Sequence, residues 1–103
     1  MAKKLYMVVE HLKDAAAVYS RLWDRGRMAP NDLVFVSAWV DDKVERSYRL
    51  METDGRQPLD DWMANWKDLI DFEVYPVITP EEAGEKIAAQ LKQSRAGARN
   101  LQS

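Results

Sequence analysis

The chain has a single imidazole, His11, and histidine is the side chain whose ordinary titration lies nearest neutral pH. A histidine held by a carboxylate is a familiar general base, because the carboxylate fixes the ring tautomer and raises the basicity of the free nitrogen. Glu52 is the carboxylate that could serve, provided both side chains reach one sheet face. Tyr48 would lie near them, Trp39 would form an aromatic wall, and Tyr75 is a further aromatic able to line an apolar ligand. Each residue also has a plain structural reading. A histidine at a strand end is commonly solvated or bonded to main chain, and a carboxylate at a strand-to-helix corner can accept from free N–H groups in residues 53–56.

Other chemistries lack their residues. A metal bound at His11 would have to draw on Glu10 and Glu52, and one histidine without a spaced second ligand defines neither zinc nor calcium geometry. No metal and no cofactor is expected. Cysteine is absent, which removes disulfides, iron–sulfur clusters, thiolate zinc sites and thiol nucleophiles together. No two glycines share a six-residue window, so phosphate-cradling loops are missing. Trp62 and Trp66 fall four apart on a helical stripe with Leu59 and Met63, the pattern of core anchors rather than of a cofactor box. Trp23, late in the first helix among charged neighbours, reads as half exposed. Arg21, Arg25 and Arg27 gather at the end of that helix, where a solvated face and the helix dipole account for them.

Acidic side chains outnumber basic ones by 17 to 15, which gives no field for gathering nucleic acid or anionic lipid. Residues 45–52 hold one aromatic and no glycine, where an RNA-recognition strand needs a basic residue, glycine and closely spaced aromatics. The apolar run Leu5-Tyr6-Met7-Val8-Val9 stops at Glu10, too short for a signal-peptide core or a membrane span. Neither nucleic acid nor membrane is expected as a partner, and a cytoplasmic location follows as the simplest expectation. Apolar residues make up 47% of the 103 and charged residues 31%, the balance of one folded domain with one core.

The elements that must position these residues can be read in order. Residues 5–11 form a short apolar strand. Asp14 caps a helix carrying Ala15, Val18 and Leu22 at helical spacing, and Gly26 ends it. Residues 33–40 and 45–52 read as a hairpin closed by a polar turn without glycine. Pro58, with Asp60 and Asp61, opens a second helix striped by Leu59, Trp62, Met63 and Trp66. Residues 72–78 form a fourth strand, and Pro76 assigns it to an edge or a bulge. Thr79-Pro80-Glu81-Glu82 is a capping box that starts a third helix, predicted to end near Lys92. One domain over residues 1–93 and a flexible tail over 94–103 are expected.

This order predicts an α+β fold of ferredoxin-like βαββαβ type, a four-stranded antiparallel sheet with both main helices on one face, plus a C-terminal helix. The strands are apolar on both parities: Phe35 and Trp39 against Val34, Val36 and Val40, and Phe72, Val74 and Ile78 against Tyr75 and Val77. A sheet face open to water should instead alternate with polar residues. Something must cover the second face, and the third helix has a narrow, alanine-rich stripe. A symmetric sheet-to-sheet homodimer is the better expectation.

The runs Leu50-Met51-Glu52-Thr53-Asp54 and Phe72-Glu73-Val74-Tyr75-Pro76-Val77, with Leu59, Trp62, Trp66 and Asp68-Leu69 between them, resemble a small bacterial family catalogued only as a domain of unknown function. The likeness covers about residues 4–85. That family in turn resembles the dimeric α+β barrels, which include cofactor-free monooxygenases, lactone isomerases and ligand-sensing domains. The resemblance implies the fold and the dimer, and little about function, since such folds host unrelated chemistries. It also implies a parity, with Thr53 under the helices and Tyr48, Leu50 and Glu52 facing away. Leu5, Met7, Val9 and His11 would share that outward face, which brings His11 and Glu52 to one side of the sheet. The leading expectation is a homodimer that binds an apolar or aromatic small molecule between the sheets. The alternatives are a cofactor-free enzyme using His11 or Glu52, and a structural or interaction role without a ligand.

Overall fold

Strand β1 (Lys4–Leu12) runs up the middle of the sheet and sets the register of its neighbours. A computed structural model describes the backbone of residues 3–102 and the side chains of residues 3–93. After β1 come α1 (Ala15–Arg25), β2 (Val34–Val40), β3 (Arg46–Thr53), α2 (Gln57–Ala64), β4 (Ile70–Val77) and α3 (Pro80–Gln102). The four strands form one sheet in the order β2-β3-β1-β4, and every neighbouring pair is antiparallel. The fold is α+β. Pro76 sits on β4, an edge strand, where its missing N–H costs the ladder little.

Local chemistry explains where the helices begin and end. Asp14 accepts from Ala17 N–H at 3.1 Å to cap α1. Gly26 closes it by donating its N–H to Leu22 C=O at 2.8 Å. Its φ of +71° with ψ of −165° lies in a region open almost only to glycine. At the start of α3, Thr79 Oγ1 accepts from Glu82 N–H at 3.1 Å, which is half of the predicted capping box. The α3 backbone is helical to Gln102, past the predicted end near Lys92. The side chains of the expected tail lie outside those described.

Both α1 and α2 pack on one face of the sheet. Val18 of α1 and Leu59 and Trp62 of α2 are buried with Tyr6 and Val8 of β1, Met51 of β3 and Ile70 of β4. Trp62 meets Phe35 and Phe72 edge-on, with ring centroids 5.5 and 5.4 Å apart, the arrangement that the ring quadrupoles favour. Trp66 is buried just beyond α2 and donates its indole N–H to Arg27 C=O at 2.9 Å. Arg21 on α1 grips Asp68 with two hydrogen bonds of 2.8 Å, fastening the helix to the α2–β4 turn. Those bonds hold the Asp68 carboxyl down at about 2 and push the Arg21 guanidinium above its ordinary value.

One register feature corrects the sequence reading. Phe35 lies opposite Met51 but Ser37 lies opposite Leu50, so Val36 is an extra residue, a β-bulge. A bulge reverses the alternation of side chains beyond it. Phe35 therefore enters the core under the helices, while Trp39 emerges on the opposite face. The two do not share a parity.

Candidate functional site

The face turned away from the helices can be laid out row by row from the register. At one end Val34, Glu52, Leu5 and Val77 cross the sheet. Next come Ser37, Leu50, Met7 and Tyr75, then Trp39, Tyr48, Val9 and Glu73, and last Arg46, His11 and Asp71. The first three rows are mainly apolar and aromatic, broken by Glu52, Ser37 and Glu73, and the last row is polar and charged. The parity expected for Tyr48, Leu50, Glu52 and His11 holds, and Thr53 is fully buried on the helix side. Trp39 is 71% exposed, Tyr75 48% and Tyr48 38%, so among the described residues nothing covers them.

The register separates the two proposed proton-transfer residues. Glu52 lies opposite Leu5, whereas His11 lies opposite Arg46, six positions further along β1. At about 3.4 Å per residue the two stand roughly 20 Å apart. Glu52 instead lines a wide cleft of about 470 Å³ with Lys3, Lys4, Leu5, Val77, Ile78 and Glu82, where α3 leaves the sheet.

His11 has another carboxylate. Its Nε2 hydrogen-bonds Glu73 Oε2, and the Tyr75 hydroxyl donates to the same carboxylate's Oε1 at 2.5 Å. Sequence reasoning missed Glu73 because the pairing runs across strands far apart in the chain. The signal was present in β4, where Glu73 and Tyr75 alternate outward with apolar residues between them. The Tyr75 hydrogen bond, with the His11 contact behind it, holds the Glu73 carboxyl below its usual range. The same carboxylate pushes the Tyr75 phenol up. With Nε2 committed to Glu73, Nδ1 is the nitrogen left to accept a proton. The trio is a carboxylate-oriented base in form, yet its side chains stand a third or more exposed, 35% for His11 and 44% for Glu73.

A second polar cluster lies on the helix side. Glu10 is 2% exposed and accepts from the hydroxyl of Ser47, itself 1% exposed. Arg49 Nε lies 3.0 Å from Glu10 Oε1. Its N–H is not aimed at that oxygen, however, and makes no aligned hydrogen bond. The slot beside this cluster, lined also by Arg27, Phe35, Trp62 and Trp66, measures about 20 Å³. That is room for about one water molecule. A ligand-sized site does not fit there, so the open face is the better candidate.

Among the described residues no group of three His, Asp or Glu side chains is placed to hold a metal ion. No helix among them is long and apolar enough to cross a membrane. Neither the curated proteins nor the solved structures compared with this chain include a match. A family model does match, over residues 4–91, and the chain belongs to that family, the Domain of unknown function (DUF3303).

Proposed function

We propose that the chain works as a homodimer of the ferredoxin-like, dimeric α+β barrel type, whose paired sheet faces enclose a site for an apolar or aromatic small molecule. The strand order β2-β3-β1-β4 with α1 and α2 on one face supports the fold reading. The observation that carries the proposal is the uncovered aromatic face, with Trp39 standing 71% exposed across from Tyr48. A patch of this kind marks an interface or a ligand site. One end of it carries both signs, with Arg46 and Asp71 on either side of His11 and Glu73 one row further in, so a two-fold partner can set acid against base. Trp39, Tyr48 and Tyr75 would line the enclosed space.

Light scattering over a hundredfold dilution range tests the pairing. A dimer mass that Trp39→Lys reduces to that of a monomer supports it, and a monomer at every concentration sinks it. The small-molecule part is read by titrating an anionic naphthalene dye, which should bind the dimer and bind the Tyr48→Ala, Tyr75→Ala variant weakly.

A second reading, proton transfer without a cofactor, draws on the hydrogen bonds linking His11, Glu73 and Tyr75. His11 would move the proton through Nδ1 and Glu73 would orient it, so Glu73 takes the part first assigned to Glu52. Covering the face would also exclude water from the exposed base. On this reading His11→Ala and Glu73→Gln abolish turnover of a discovered substrate while leaving its binding, and Glu52→Gln has no effect. If the space between the faces proves filled by side chains, a structural role without a ligand is favoured.

A further inference from the structure

We infer that α3 is an arm received by a second copy of this chain, its Ala83, Ile87 and Leu91 stripe packing at the margin of the partner's open sheet face. The inference rests on the pairing proposed above and adds the element that completes it. Among the described residues of α3, every one from 84 to 93 is exposed, including Ile87 at 52% and Leu91 at 54%, so that stretch adds nothing to the core of its own chain. The molecule is accordingly long, 68 Å against 33 and 19 Å. Helices in proteins draw most of their stability from packing an apolar face rather than from propensity, and Gly84 weakens this one by about 1 kcal/mol relative to alanine. Capping by Thr79 helps at one end only.

Two further observations point to a second copy as the occupant. The base of α3 borders the open face, because the wide cleft there is walled by Leu5, Glu52 and Val77 of that face, by the exposed Ile78 and by Glu82 in the first turn of α3. The sheet face is also modest without the arm. Four strands about 4.8 Å apart and about seven residues long present a flat footprint of roughly 450 Å² before side-chain relief is counted, beside about 800 Å² of accessible surface per partner in a standard interface. An arm given and received by each copy adds two symmetric contacts and closes the pair without leaving an open end.

The test compares wild type with Ile87→Glu, Leu91→Glu and with Ile87→Gln, Leu91→Gln, which removes the stripe without adding charge. Light scattering gives the dissociation constant, and hydrogen exchange reads α3 amides at high and low concentration. The expected result is a wild-type dimer, a dissociation constant raised about tenfold or more in both variants, and α3 protection that disappears on dilution. A wild-type dimer whose variants pair just as tightly overturns the arm and leaves the sheet pairing standing. A wild type that is monomeric throughout overturns both. Protection of α3 that persists in the monomer shows the helix folded on its own body, which also overturns the arm.

Discussion

At the level of single residues, two carboxylates of this protein live in opposite settings. Glu73 is exposed and accepts from Tyr75 and His11, and its pKa is depressed with the Tyr75 bond as the largest cause. A depressed folded-state pKa contributes stability that is present above the unfolded value and lost as pH falls through the folded one. Solvent screening keeps that contribution small at an exposed site. In a carboxyl-carbon NMR titration Glu73 should ionise below the usual glutamate range, and Tyr75→Phe should move the midpoint back up further than His11→Ala does. Glu10 is instead buried with Ser47 and Arg49. Removing one member of a buried pair leaves the other uncompensated, so Arg49→Ala should cost about 3 kcal/mol in urea unfolding, near the lower end for such pairs because Arg49 keeps some solvent. Little of this was legible beforehand. Glu10 follows five apolar residues of β1 and reads as the strand's polar end, and only the cross-strand placement of Ser47 and Arg49 makes it a core residue.

Among the elements, those that announce themselves by chemistry local in sequence were legible: the Asp14 cap, the Gly26 stop, the Thr79 box and the Trp62 stripe all stand where the pattern puts them. The parity of β2 was not, because the bulge at Val36 lies in Phe35-Val36-Ser37, a stretch with neither glycine nor proline to mark it. Its consequence is functional, since it turns Trp39 out to the open face. The hairpin turn that follows also hides its geometry. Val44 adopts a φ of +58° there, while the Asp41 carboxylate accepts from Glu45 N–H at 2.8 Å and Arg46 N–H at 3.3 Å to hold the turn. A β-branched residue in the left-handed region costs about 1–2 kcal/mol, and a glycine there adds back about 0.5–1 kcal/mol of chain entropy. Val44→Gly should therefore stabilise the protein by about 0.5–1 kcal/mol, seen as a rise of a few degrees in Tm.

At the scale of the whole molecule the proposed pairing covers the open sheet face, and the four tryptophans report on it separately. Trp62 and Trp66 are each 3% exposed in the core, so their emission should not depend on association. Trp23 on α1 is 81% exposed and Trp39 on the sheet 71%, but only Trp39 lies on the face proposed to pair. Burying an indole shifts its emission to shorter wavelength, because fewer water dipoles relax around the excited ring. If two copies pair through their sheets, raising the concentration through the association range should shift the emission to the blue. Trp39→Phe should abolish that shift and Trp23→Phe should leave it intact. The reverse pattern, a shift lost with Trp23, would place the contact on the helix side and leave the aromatic sheet face without its proposed partner.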